Sequence, residues 1–504
     1  MAFIEIENLG FTYPSRDAPT LRDITAHVPS GAFVLLTGPT GCGKSTLLRT
    51  LNGLIPHASA GTLTGAVCLN GKDVATQPLV TTCQQVALLF QNPDDQLFCT
   101  LVEDEIAFGL ENLGFPPEEI KRRITVALEQ VGLPEFASRE ITSLSGGQKQ
   151  RVALAAVCAM QPQALLLDEP TSHLDPKGTR DILDIVRHLN REMGITVILA
   201  THRTKEVAPL CDRVWLMDEG QLCLDLPKTE AFQNFTLYQR LGVQIPETEN
   251  SPVDTLLKRN HEVASRDPPL SIQALEFRYP NTDADAVRSI SCEVSCGEVV
   301  AIMGANGSGK TSLIHLIAGL LRPSAGEVAI AGKLSHRVKL HRLAGKVGIV
   351  FQNPDLLLQA ETVRDEVAFG PKNLKFSTQI LEDRVNRTLT QFDLDNFDSE
   401  APYSLSRGQR QRVAVAATFS LHPDLFLLDE PTTGQDAQHL HQLMDELCDE
   451  IQQEDKTLIF ATHDTELTLK YAHRVLLLRE GELIFDGAPR TAFANPELLQ
   501  QASL

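Results

Sequence analysis

Gly38-Pro39-Thr40-Gly41-Cys42-Gly43-Lys44-Ser45 and Gly304-Ala305-Asn306-Gly307-Ser308-Gly309-Lys310-Thr311 decide how this chain is read. Each follows a short apolar run, opens a helix-like segment and matches the phosphate-binding pattern G-x-x-x-x-G-K-[ST]. A single match is compatible with an ordinary glycine-rich turn; two with matching surroundings are not. The glycines let the backbone curl so that successive N–H groups face phosphate oxygens, and the following helix adds the positive end of its dipole. Lys44 and Lys310 then neutralise the β- and γ-phosphates, while Ser45 and Thr311 offer a hydroxyl to Mg²⁺.

Working outward, four more landmarks recur in the same order. Phe90-Gln91-Asn92-Pro93-Asp94 is matched by Phe351-Gln352-Asn353-Pro354-Asp355, and Leu144-Ser145-Gly146-Gly147-Gln148 by Leu405-Ser406-Arg407-Gly408-Gln409. Leu167-Asp168-Glu169-Pro170 is matched by Leu428-Asp429-Glu430-Pro431, and Ala200-Thr201-His202 by Ala461-Thr462-His463. The spacing from Lys44 to Lys310 is five residues longer than that from Gln91 to Gln352, which then holds to the histidines. The chain is therefore an internal duplication with one early length change.

Size agrees with this, because 504 residues exceed what one core usually serves. Apolar strand-like runs alternate with helical patterns, which implies an α/β fold with a parallel sheet and helical crossovers. Ala164-Leu165-Leu166-Leu167 and Leu425-Phe426-Leu427-Leu428 read as central strands buried on both faces. The first domain is placed at 1–241, a polar, proline-containing linker at 242–269, and the second domain at 270–504, where Leu270-Ser271-Ile272 restarts the strand pattern of the N-terminus.

A formal charge of −20 argues against an extended nucleic-acid surface, which needs a basic face. No apolar stretch approaches the roughly 20 residues that span a bilayer; the run from Val152 to Met160 reads as the interior of a helix. The start lacks the plan of a signal peptide. The ten cysteines show no paired C-x-x-C pattern and read as reduced thiols. Cys292 and Cys296 have no accompanying histidine-cysteine set, which argues against a metal site.

The ordered set of landmarks resembles the nucleotide-binding domain of ABC ATPases over nearly the whole chain. The resemblance implies two tandem ABC-type P-loop domains, each with a mainly parallel sheet core and a helical subdomain, using ATP and Mg²⁺. It assigns Tyr13 and Tyr279 to adenine stacking, and Gly38, Gly41, Gly43, Lys44, Ser45 and Thr46 with Gly304, Gly307, Gly309, Lys310, Thr311 and Ser312 to the phosphates. Ser45, Gln91 and Asp168, and Thr311, Gln352 and Asp429, become the Mg²⁺ sets. Glu169 and Glu430 would polarise the attacking water, and His202 and His463 would contact the γ-phosphate and that water. Ser145, Gly147 and Gln148, and Ser406, Gly408 and Gln409, precede helices whose positive ends meet an anion; in this family that anion is the ATP held by the opposite domain. The resemblance thus implies head-to-tail pairing, with Asp436 completing the site built on Lys44 and Asp175 the one built on Lys310.

One departure separates the halves: Arg407 stands where the first copy has Gly146. Leu51-Asn52-Gly53-Leu54-Ile55-Pro56-His57, the stretch from Gln91 to Phe98 with Asp104-Glu105-Ile106-Ala107-Phe108-Gly109, and the counterpart Gln352-Asn353-Pro354-Asp355 with Asp365-Glu366-Val367-Ala368-Phe369-Gly370-Pro371-Lys372-Asn373-Leu374 resemble the ATPases of energy-coupling-factor (ECF) importers. The resemblance implies a transmembrane coupling protein and a small substrate-binding membrane protein as partners, a place at the cytoplasmic face of the membrane, and a vitamin, nickel or cobalt as cargo. The rivals are a ribosome-associated tandem ATPase, whose long charged linker is missing here, and the fused ATPase of sugar importers, whose second phosphate loop is usually degraded.

Overall fold

The computed structural model describes residues 2–14, 18–172, 174–245, 269–280, 282, 284–335, 343–431 and 437–504. The linker reading at 242–269 falls mostly outside the described residues, as do Pro246, Pro252, Pro268 and Asp436. The chain divides into two compact units, 1–174 with 178–251 and 175–177 with 252–504.

In the first unit an antiparallel sheet is ordered β2-β1-β4-β5, from β1 (Ala2–Thr12), β2 (Leu21–Pro29), β4 (Thr62–Leu69) and β5 (Lys72–Asp73). The central sheet is ordered β10-β9-β3-β8-β7-β6. Its strands are β3 (Phe33–Thr37), β6 (Val86–Leu89), β7 (Ala164–Asp168), β8 (Thr196–Ala200), β9 (Arg213–Asp218) and β10 (Gln221–Pro227). All its pairings are parallel except β9 with β10. Every residue of β3 and β8 is buried, which is why their apolar runs do not alternate. Each fully buried leucine there contributes on the order of 1.5–3 kcal/mol.

Helix α1 (Lys44–Leu51) follows β3 directly. Helices α2 (Val102–Asn112), α3 (Pro117–Gln130) and α4 (Gly146–Ala159) pack together as a helical layer, with Val102, Ile106, Leu110, Leu128 and Val152 in its core. Helix α5 (Pro176–Arg191) crosses back toward β8.

The second unit repeats the plan. One sheet is ordered β12-β11-β14-β15, from β11 (Leu270–Phe277), β12 (Val287–Val294), β14 (Ala325–Ile330) and β15 (Lys333–Leu334). The other is ordered β16-β17-β18-β13-β19-β20, from β13 (Val299–Met303), β16 (Val347–Val350), β17 (Leu425–Asp429), β18 (Thr457–Ala461), β19 (Arg474–Arg479) and β20 (Glu482–Gly487). Its helices include α6 (Lys310–Ile317), α7 (Val363–Asn373), α8 (Thr378–Gln391), α9 (Arg407–Phe419) and α10 (Ala437–Glu454).

Both units place their glycine loop where the connections reverse direction in the sheet: the chain leaves β3 past β8 for β6 and returns from β8 across β3 to β9, and β13, β16, β18 and β19 repeat this. Open α/β sheets bind ligands at such a switch point, beyond the carboxyl ends of the strands. Among the described residues no helix is long and apolar enough to cross a membrane.

Candidate nucleotide-binding and catalytic sites

Gly38, Gly41 and Gly43 have φ of 150°, 80° and 107°, and Gly304, Gly307 and Gly309 have 149°, 81° and 102°. Such values let the loop turn its amides inward and start α1 and α6 without a side-chain cap. Lys44 Nζ lies inside the arc, donating to Gly38 O at 2.9 Å and Pro39 O at 3.0 Å. Lys310 Nζ does the same to Gly304 O at 2.8 Å and Ala305 O at 3.0 Å. Both lysines are buried, and burial lowers the pKa of Lys310 against the opposing pull of Glu430.

The strand-exit carboxylates stand next to these loops. Thr311 Oγ1 donates to Asp429 Oδ1 at 3.2 Å, and Ser45 holds the same relation to Asp168. Burial raises both aspartates, Asp429 to about 6. A hydroxyl beside a carboxylate, with the carboxamide of Gln91 or Gln352 at the end of the adjacent strand, is an all-oxygen donor set of the kind a hard divalent cation takes. The residues present therefore fit Mg²⁺.

Glu169 and Glu430 come one residue later with φ of 48° and 50°, in the left-handed region. Holding a non-glycine residue there costs on the order of 1–3 kcal/mol and turns its carboxylate out of the strand direction. Glu169 accepts from Thr201 Oγ1 at 3.1 Å and from His202 N at 3.0 Å, and His202 Nε2 lies 3.4 Å from Glu169 Oε1 and from Lys44 Nζ. In the second unit His463 Nδ1 lies 3.0 Å from Glu430 Oε2, and Lys310 Nζ 3.8 Å from Glu430 Oε1. Burial pushes Glu169 up to about 7, opposed by Lys44. A buried carboxylate near neutrality, oriented by a threonine and a histidine, is equipped to take a proton from water. Thr201 and Thr462, not counted as site residues from the sequence, brace the histidine turns: each Oγ1 accepts a backbone amide two residues on, from Arg203 and Asp464.

Tyr13 Oη is 3.3 Å from Thr46 Oγ1 and Tyr279 Oη 3.1 Å from Ser312 Oγ. Each ring also meets a phenylalanine edge to face, Phe11 at 4.7 Å and Phe277 at 4.8 Å. Thr46 and Ser312 thus anchor the tyrosines beside the phosphate loop. Ser145 and Ser406 are N-caps of α4 and α9, each in a capping box with Gln148 or Gln409. The glutamine carboxamides accept from the serine amides at 2.9 Å in both units, which gives Gln148 and Gln409 a structural duty. The S-x-x-Q spacing carries that signal in the sequence. Arg407 is the half-buried first residue of α9, a cation set against the helix dipole.

Cys42 is only 5% exposed, its Sγ 3.9 Å from Lys44 Nζ, and burial raises its thiol pKa. A bulky thiol reagent is expected to label it slowly and to block the loop built on Lys44, with MgATP protecting it. Labelling rates followed by mass spectrometry check this; equal rates with and without MgATP would refute it.

A family model described as ABC transporter matches residues 21–172 and 287–433. The chain is 41% identical, over 99% of its own length and 91% of the other, to a Methanosarcina mazei protein named "Putative ABC transporter ATP-binding protein". It is 34% identical, over 99% of its length and 94% of the other, to a Bacillus subtilis protein named "Putative HMP/thiamine import ATP-binding protein YkoD". The solved structure of cbiO1 from Clostridium perfringens, described as part of the ABC transporter complex cbiONQ, matches at 32% identity and a TM-score of 0.43, covering 47% of this chain and 94% of that one.

Proposed function

The chain belongs to the ABC transporter family as a nucleotide-binding ATPase with two ABC domains, and we propose that it powers an ECF-type importer of a vitamin or a transition-metal ion. The observation that carries this reading is an aromatic pair on the segment after Gln91. Phe98 and Phe108 are 64% and 45% exposed and meet edge to face at 4.6 Å. The second unit exposes Leu356 and Phe369 in the corresponding region. Large apolar side chains left in water next to an ATP site favour a protein partner that covers them. The partners would be a transmembrane coupling protein and a small substrate-binding membrane protein, with the chain held at the cytoplasmic face. Vitamin cargo agrees with the name of the Bacillus subtilis relative.

In this reading each half binds ATP through its glycine loop, and Ser45, Gln91 and Asp168, or Thr311, Gln352 and Asp429, would hold Mg²⁺, which when bound would supply neutralisation of phosphate charge. Lys44 and Lys310 bind the phosphates, Glu169 and Glu430 orient and deprotonate the attacking water, and His202 and His463 hold it against the γ-phosphate. Ser145 and Gly147, and Ser406 and Gly408, lie at the starts of α4 and α9, whose positive ends suit an anion.

Purification of the full chain from its own membranes tests the reading. Integral membrane proteins should accompany it at fixed ratio, and Phe98→Ser/Phe108→Ser should release them while leaving ATP binding intact. Sedimentation with ribosomes instead would overturn it.

Arg407 makes the two halves chemically unequal, because a cation at the start of α9 changes how that helix end meets phosphate charge in the ground state and in the transition state. Glu169→Gln and Glu430→Gln are expected to leave different residual turnover, and Arg407→Gly to narrow that difference. Matching single variants, unchanged by Arg407→Gly, would make the arginine silent.

A further inference from the structure

Between each glutamine and the helix that follows it runs a strap of about ten residues, 91–101 in the first unit and 352–362 in the second. Each strap opens with a short 3-10 turn, Pro93–Asp95 or Pro354–Leu356, capped by Asn92 or Asn353. Each is then clasped from α2 or α7 by a buried carboxylate. Glu105 Oε2 accepts from Phe98 N at 2.9 Å and Cys99 N at 2.8 Å, and Glu366 Oε2 accepts from Gln359 N and Ala360 N at 2.7 Å. These glutamates are 5% and 4% exposed. Their charge is stabilised by paired backbone N–H groups, which makes the clasp a strong one.

The straps differ in their second anchor. In the first unit Gln96 Oε1 accepts from Phe90 N at 3.1 Å, tying the strap to the end of β6. Leu357 occupies that position in the second unit and has no acceptor. There Tyr403, in the turn Pro402–Ser404 just ahead of the N-cap Ser406, donates its hydroxyl to Leu358 O at 2.5 Å. Its counterpart Thr142 directs its hydroxyl to Glu140 instead. Ion pairs also join strap to helix in both units, Lys149 with Asp94 and Arg410 with Asp355. Partly exposed pairs of this kind are screened and weak, whereas a hydroxyl on a buried carbonyl is directional.

We infer that Tyr403 is a positioning residue that joins the Gln352 strap to the turn bearing Ser406; the first unit makes this join through its backbone, Ile141 N donating to Thr100 O at 3.0 Å, a bond for which Pro402 at the matching position has no N–H. Through it, a shift of Gln352 on nucleotide binding is carried to the start of α9; in the first unit the bond from Ile141 N to Thr100 O makes the same connection without a side chain. This rests on the ATPase activity and not on the importer reading, and needs no membrane partner to test.

Tyr403→Phe removes one hydroxyl from a half-exposed ring, so folding is preserved. Amide exchange is followed in the full chain carrying Glu169→Gln and Glu430→Gln, with and without MgATP. In that parent, ATP should slow exchange in 353–362 and 402–409 together. With Tyr403→Phe added, protection of 353–362 should fall at least fivefold while 92–101 stays unchanged. In the otherwise unaltered chain Tyr403→Phe should lower kcat at least threefold, with KM for ATP within twofold and an unchanged melting temperature. Unaltered strap exchange and kcat would overturn the inference. So would a parallel loss of kcat, KM and melting temperature, which would make the hydroxyl merely a part of the fold.

Discussion

Replacing Glu169 and Glu430 together by glutamine is expected to lower ATP turnover by a factor of about 10²–10⁴, the usual contribution of a positioned general base. Each single variant should slow its own site, and nucleotide affinity should stay within about threefold because the glycine loops and lysines are untouched. The pH dependence follows from burial. Glu169, raised to about 7, must be deprotonated to act, so kcat/KM for ATP should rise with pH through about 7. The same shift bears on stability. A carboxylate raised from an ordinary 4.5 to about 7 binds more protons folded than unfolded within that window. Its ionisation therefore destabilises the fold as pH rises through it, by about 3 kcal/mol at the outside. Glu169→Gln removes this cost, so the variant should melt above the wild type at pH 8 and lose that margin at pH 5. Steady-state ATPase assays, nucleotide titrations and melting curves at the two pH values check these outcomes. Wild-type turnover in the double variant would remove both glutamates from catalysis.

Alanine at Gly304 and at Gly307 should have very different effects although both belong to one loop. At Gly304, with φ of 149°, an added Cβ would lie 2.3 Å from the Leu478 carbonyl oxygen of β19. That contact is with strand backbone and cannot be relieved by a rotamer change, so Gly304→Ala is expected to destabilise the second unit by about 3 kcal/mol or more and to abolish ATP binding there. Gly38 is in the same position, with Met217 O at 2.1 Å. At Gly307, with φ of 81°, nothing lies within 4 Å of the added carbon. Only the backbone penalty of about 1–2 kcal/mol remains, so Gly307→Ala should fold and lose affinity for ATP more than stability. Thermal melting with ATP titration separates the two; equal melting temperatures would show that the strand yields.

The duplication, the α/β class and the glycine loops were legible in the sequence because each rests on a contiguous pattern. Val34-Leu35-Leu36 before the first loop and Leu165-Leu166-Leu167 before Asp168 are too apolar and too short for anything but buried strands, and Val152 to Ala159 lies inside α4. What the tertiary structure alone decided are relations between segments far apart in the chain. The left-handed backbone at Glu169, its burial against Thr201 and His202, and its displaced pKa arise only when β7 and β8 lie side by side. Tyr13 meets Thr46 across 33 residues, and Tyr403 reaches Leu358 across 45. Local periodicity records which face of an element is apolar. It holds no information on which distant backbone amide or carbonyl ends within hydrogen-bond reach of a given side chain, because that depends on how the sheet orders its strands and on the loops that close over their carboxyl ends.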